Sequence, residues 1–210
     1  MDESPHISLH KTIKVRPRIR RGFSLVEAIL AISITALAGS VLLLGVESSL
    51  RTTSDAVDRT IADGLARQLL DEIATKRFMA AGTLSTATPF GPTALENAGS
   101  GRERFDDADD YDAFVALPAQ GVWGETLGTG DDFGDPRHAS FQVPSGFFDR
   151  WQQRVEVYFV DPTDHRVRLS SGTSQYRAIE VHIEYVDADG VITPLASRRR
   201  VIAYVPAPTT

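Results

Sequence analysis

Apolar residues are unevenly spread along this chain, and their pattern changes three times. Residues 23–46, FSLVEAILAISITALAGSVLLLGV, are apolar on every side and hold one charge, Glu27. As a helix rising about 1.5 Å per residue, the run would measure roughly 36 Å, enough for a bilayer core of about 30 Å. From 47 to 78 the pattern becomes periodic. Leu50, Val57, Ile61, Leu65, Leu69 and Ile73 recur at spacings of seven and four, which marks one buried stripe on an amphipathic helix. Asp55–Arg59 and Asp63–Arg67 are acid-before-base pairs on the polar side, each contributing a few tenths of a kcal/mol. No proline occurs between 23 and 88. A single helix of about fifty residues is therefore expected, with Gly82 near its end as a stop signal.

Residues 82–148 lose the periodicity and are rich in Gly, Pro, Thr and Asp. They predict a long loop region punctuated by turns such as Gly91-Pro92 and Gly99-Ser100-Gly101, with a short strand expected at Tyr111–Leu117. From 151 the period becomes two. Trp151, Val155, Val157 and Phe159 share one parity, and Ile179, Val181, Ile183 and Tyr185 another, as half-buried antiparallel strands require. Asp187-Ala188-Asp189-Gly190 is a hairpin turn, followed by a return strand at 191–195 and a last strand at 197–205. The segments 1–22, 23–46, 47–81, 82–148 and 149–210 thus differ in kind. The fold class that follows is α+β: one long N-terminal helix, apolar and then amphipathic, packed on a small C-terminal antiparallel sheet.

Charge sharpens this division. The 210 residues carry a formal net charge of −6. Residues 1–22 hold six Lys/Arg against Asp2 and Glu3, a net +4, so the remainder carries −10. A basic flank before an apolar run orients it with residues 1–22 in the cytoplasm and the body outside. The acidic body excludes nonspecific nucleic-acid binding, which needs basic surface against phosphates. There is no cysteine, which excludes disulfides and thiolate chemistry.

Three readings of the apolar run compete. A cleaved secretory signal would use Ala36-Leu37-Ala38 as its cutting site, yet apolar residues continue beyond it. An uncleaved anchor fits the length but leaves Glu27 without a role, and a carboxylate in lipid costs several kcal/mol unless paired or protonated. The third reading rests on a motif. Gly22-Phe23-Ser24-Leu25-Val26-Glu27, preceded by a basic leader, resembles the cleavage and methylation motif of type IV pilins and type II secretion pseudopilins. The resemblance implies cleavage by a prepilin peptidase after Gly22 and N-methylation of the new amino terminus at Phe23. Glu27 would then be the counter-charge of that amine, on its own chain or a neighbour's, and would set assembly register as a buried polar residue does in a coiled coil. The stretch ALARQLLDEIATKRF resembles I-type minor pseudopilins and V-type minor pilins. The implied partners are other pilin or pseudopilin subunits, the prepilin peptidase, the inner-membrane assembly platform and membrane lipid. The implied location is the inner membrane, single-pass, and then the filament.

Signals for chemistry are few. Asp106, Asp107, Asp109, Asp110 and Asp112 crowd RFDDADDYDAF. Oxygen-rich loops suit Ca²⁺, although this spacing is not that of an EF-hand, and some pseudopilins bind calcium in such loops. Asp131, Asp132 and Asp135 form a second acidic group. The alternative is a solvated acidic turn. His138, His165 and His182 show no metal-ligand spacing, and no nucleophile elbow, P-loop or dinucleotide fingerprint is present. Arg198, Arg199 and Arg200 read as a salt-bridged strand. Trp123, Phe147 and Phe148 are either partner surface or core. The expectation is a structural minor subunit with no catalysis and no required cofactor. The alternatives are a membrane-anchored domain of unrelated, enzymatic function and a competence pseudopilin.

Overall fold

The computed structural model describes Gly22, residues 24–128, Gly130 and residues 138–206. Helix α1 spans Leu25–Ala74, and a four-stranded antiparallel sheet follows from β1 (Val115–Ala116), β2 (Trp151–Phe159), β3 (Tyr176–Val186) and β4 (Ile192–Ala203), in that spatial order. This is the α+β arrangement that the hydrophobic pattern predicts, and it is consistent with the pilin-like fold that the resemblance implies. The chain divides into two compact units, Met1–Arg51 and Thr52–Thr210.

In the first unit, the helix exposes its large apolar side chains from Leu25 to Val46. It is long and apolar enough to cross a membrane. Its few hydroxyls are satisfied within the helix. Ser33, Thr35 and Ser40 donate to the carbonyls of Ile29, Ala31 and Ala36 at 2.8, 2.8 and 2.9 Å. Past its first turn, each backbone N–H of such a helix finds its carbonyl one turn back and needs no partner from its surroundings.

In the second unit, the helix buries Ala62, Ala66, Leu69, Leu70 and Ile73. They meet Trp151, Val155 and Val157 of β2 and Ile179, Val181 and Ile183 of β3 in one core. The register sets Val155 opposite Val181 and Val157 opposite Ile179, so the inward residues of both strands form one apolar face. Each large aliphatic residue closed off this way contributes about 1.5–3 kcal/mol. The expected stripe is confirmed at Leu69 and Ile73. Leu50 and Val57 remain exposed, while Leu70 joins the core.

Helix α1 ends at Ala74, short of the expected 81. The reason is tertiary. Thr75 Oγ1 bonds back to the Glu72 carbonyl at 2.7 Å and Lys76 N–H to that of Ile73 at 3.0 Å, tightening the last turn. Arg77 then pairs with the 105–108 loop, its carbonyl accepting from Ala108 N–H at 2.9 Å. The strand expected at Tyr111–Leu117 shrinks to Val115–Ala116, because Asp109–Tyr111 winds into a single 3₁₀ turn. The two return segments merge into β4, with Pro194 opposite Glu184 at a register shift; proline is tolerated there because β4 is an edge strand. The arginine triplet alternates as expected. Arg198 pairs with Asp63, Arg200 with Asp71 at 2.9 Å, and Arg199 turns to Tyr158 Oη at 3.0 Å on the opposite face. Phe148 is core, stacked edge-on to Trp151, whereas Trp123 is 56% exposed.

Candidate functional site

The motif at the start of α1 has a defined geometry. Ser24 precedes the first helical residue, and its Oγ accepts the Glu27 N–H at 3.2 Å. This is the N-cap arrangement, and Ser-x-x-Glu is the sequence of a capping box. Glu27 therefore sits in the first helical turn, where the helix dipole favours a negative charge. That is a second physical reason for an acid at this position, additional to pairing with an amine. Gly22 is exposed. Phe23 and residues 1–21 lie outside the described residues.

The five aspartates expected to act together are divided by the fold. Asp109 forms an ion pair with Arg177. Asp112 Oδ1 accepts Val157 N–H at 2.9 Å, tying the loop to β2. Asp107 Oδ1 accepts Asp109 N–H at 2.8 Å, and Asp110 Oδ2 accepts the N–H groups of Asp106 and Asp107 at 2.8 and 3.2 Å. Asp106 pairs with Arg77. Burial raises the pKa of Asp107, and it raises both Asp109 and Asp110 to about 6; Arg177 opposes the rise at Asp109. Asp131, Asp132 and Asp135 lie outside the described residues.

Carboxylate oxygens that can share a cation come from Glu96, Asp106 and Asp110, all within 4.8 Å of one another. An all-oxygen set of this span suits a hard cation such as Ca²⁺. Glu96 was not expected in it. Its sequence signal is Thr93-Ala94-Leu95-Glu96, a capping box: Thr93 N–H donates to Glu96 Oε2 at 2.7 Å, and Glu96 N–H returns to Thr93 Oγ1 at 3.4 Å. The hydrogen bonds from Thr93 hold Glu96 below the usual carboxylate pKa.

Two buried polar assemblies hold this loop in place. Glu72 of α1 receives Arg102 Nε at 2.7 Å, Arg102 Nη2 at 2.9 Å and Tyr111 Oη at 2.7 Å. Arg102, 4% exposed, also donates through Nη1 to the carbonyls of Gln120 and Gly121, both at 3.0 Å. Arg177 is fully buried. It lies over Phe78, Phe90 and Phe159 at 4.2, 4.7 and 5.3 Å and donates to the carbonyls of Phe78 and Ser85 at 2.5 and 2.9 Å. Neither assembly has the mutual geometry of a nucleophile and base; both are anchors. His138 accepts Ser140 N–H, His165 stacks on Tyr176, and His182 sits 3.7 Å from Glu180, so these three side chains have separate partners. Comparison with protein-family models, with curated proteins and with solved structures gives no match in any of the three.

Proposed function

We propose that this chain is a structural minor subunit of a type II secretion pseudopilus or a type IV pilus, cut after Gly22, methylated at Phe23 and assembled through its N-terminal helix. The observation that carries the reading is the two-part character of α1. One unbroken helix, Leu25–Ala74, is exposed and apolar in its first half, and buries Ala62, Ala66, Leu69, Leu70 and Ile73 in its second. A subunit that moves from bilayer to filament core needs a stretch that is apolar on all sides for the first setting and a stretch that packs on its own domain for the second. The Ser24 cap supports it further. It begins the helix immediately after the residue that would carry the new amine, leaving Glu27 one turn away.

In this reading the basic leader stays cytoplasmic, the body is extracytoplasmic, and the partners are sister subunits, the peptidase, the assembly platform and lipid. Neither catalysis nor a cofactor enters the mechanism. Mass spectrometry of the protein from cells with an active prepilin peptidase tests it. A mature chain starting at N-methylated Phe23 is expected; an intact leader, or a start at Gly39, refutes it. Glu27→Ala is expected to insert into the membrane yet enter filaments poorly, and unaltered incorporation removes Glu27 from assembly.

A further inference from the structure

Beside the acidic loop lies a cleft of about 530 Å³ that the assembly reading does not use. Its walls include Phe90, Phe105 and Phe114, two carboxylates, Asp110 and Asp112, and Val115. No Lys or Arg is among its lining residues. Both acids are fixed by backbone donors on one oxygen, Oδ2 of Asp110 and Oδ1 of Asp112. Each carboxylate is thereby oriented; Asp110 also lies against the Glu96 carboxyl, and the second oxygen of Asp112 remains to receive another donor. Asp110 is 3% exposed, so its charge meets little competing water. Apolar rings and oriented carboxylates together favour a cation with a flat, weakly hydrated body.

The molecule already contains this recognition, most fully at Arg177; Arg102 likewise lies over Phe114 while paired with Glu72. Arg177 is enclosed by Phe78, Phe90 and Phe159 and paired with Asp109. The neighbouring cleft offers the same components, aromatic rings and aspartates, and Phe90 is common to both. A metal ion would use them poorly. Of the three carboxylates close enough to share one, only Asp110 lines the cleft, Asp106 is held by Arg77, and phenyl rings supply no oxygen ligand. Val115, one of the lining residues, is 55% exposed and lies on β1, an edge strand of the sheet. An edge strand presents backbone groups that an extended segment can pair with.

We propose that this cleft receives an arginine side chain presented by an extended segment of a partner protein. The site stands on the geometry of the second unit alone and is independent of filament assembly. The test uses the full chain in detergent micelles and a fluorescein-labelled peptide, acetyl-Gly-Val-Arg-Val-Gly-amide, read by fluorescence anisotropy. Its citrulline counterpart has nearly the same shape without the charge. Saturable binding of the arginine peptide is expected, at least tenfold weaker for the citrulline peptide and for Asp110→Asn or Asp112→Asn, which keep an acceptor for the backbone donors. Val115→Arg, which puts a bulky cation at an exposed lining position, is expected to abolish binding while leaving the thermal midpoint in place. Equal affinity for the two peptides, or binding unchanged in Val115→Arg, overturns the proposal. So does displacement of the peptide by millimolar Ca²⁺ at constant ionic strength, which would make the acids a metal site.

Discussion

Replacing Arg102 by methionine removes the side chain that joins the helix to the middle loop. Arg102 makes two hydrogen bonds to Glu72 and two to the carbonyls of Gln120 and Gly121, and it is almost wholly buried. Without it, Glu72 keeps Tyr111 Oη but loses its counter-charge inside the protein. Removing one partner of a buried ion pair costs about 3–5 kcal/mol. With a urea m-value of about 2 kcal/mol/M for a domain of this size, Arg102→Met should lower the urea midpoint by roughly 2 M. Trp151 lies in the core that this pair braces, so tryptophan fluorescence of the full chain in micelles reports the transition. Glu72→Met should cost a similar amount, because it leaves the guanidinium buried with carbonyls alone. The combined variant removes both charges and should cost about as much as either single change, a coupling well above the ~0.5 kcal/mol expected of independent sites. Additive single effects, or a cost of Arg102→Met under about 1 kcal/mol, would refute the claim that this pair is the joint.

Two further predictions concern the same loop. Asp107, Asp109 and Asp110 keep protons in the folded state that the unfolded chain has already released, Asp109 and Asp110 up to about pH 6 against 3.8. Above about pH 5, past the range in which acids held low such as Glu96 act in the opposite sense, the folded state binds more protons, and stability should fall as pH rises towards 6. Thermal midpoints from about pH 5 to 6 should show the fall, less steep in Asp110→Asn; a rise would contradict the burial of these acids. Gly101→Ala should lower the midpoint by several degrees, since a Cβ there would stand 2.3 Å from the Gly124 backbone nitrogen and a loss of about 1 kcal/mol moves the midpoint by about 2–4 °C. An unchanged midpoint would mean that the two loop tips separate freely.

Much of the architecture was legible because periodicity is a local property. Four apolar residues of one parity in β2 and four in β3 declare their inner face without reference to any partner. The helix start was legible only as the onset of the apolar run; the Ser24 cap that accepts the Glu27 N–H emerged with the structure. The helix end was not legible, because Arg77 leaves the helix to pair with a loop about thirty residues further on. The exposed Leu50 and Val57 belong to the same class: a stripe shows which side of a helix can be buried, and only the reach of the sheet decides how much of it is.

The acidic loop makes the distinction clearest. By itself the sequence determined that five aspartates are crowded into 104–114, and that oxygen ligands suit a hard cation. The tertiary structure decided what each one does. It gave Asp109 to Arg177 and Asp112 to the backbone of β2, and brought Glu96 from a separate turn to stand with Asp106 and Asp110. It also placed Phe90, Phe105 and Phe114 around Asp110 and Asp112. Composition fixes the charge a segment carries; the partners of each charge are set by contacts between residues distant in sequence, which no local pattern records.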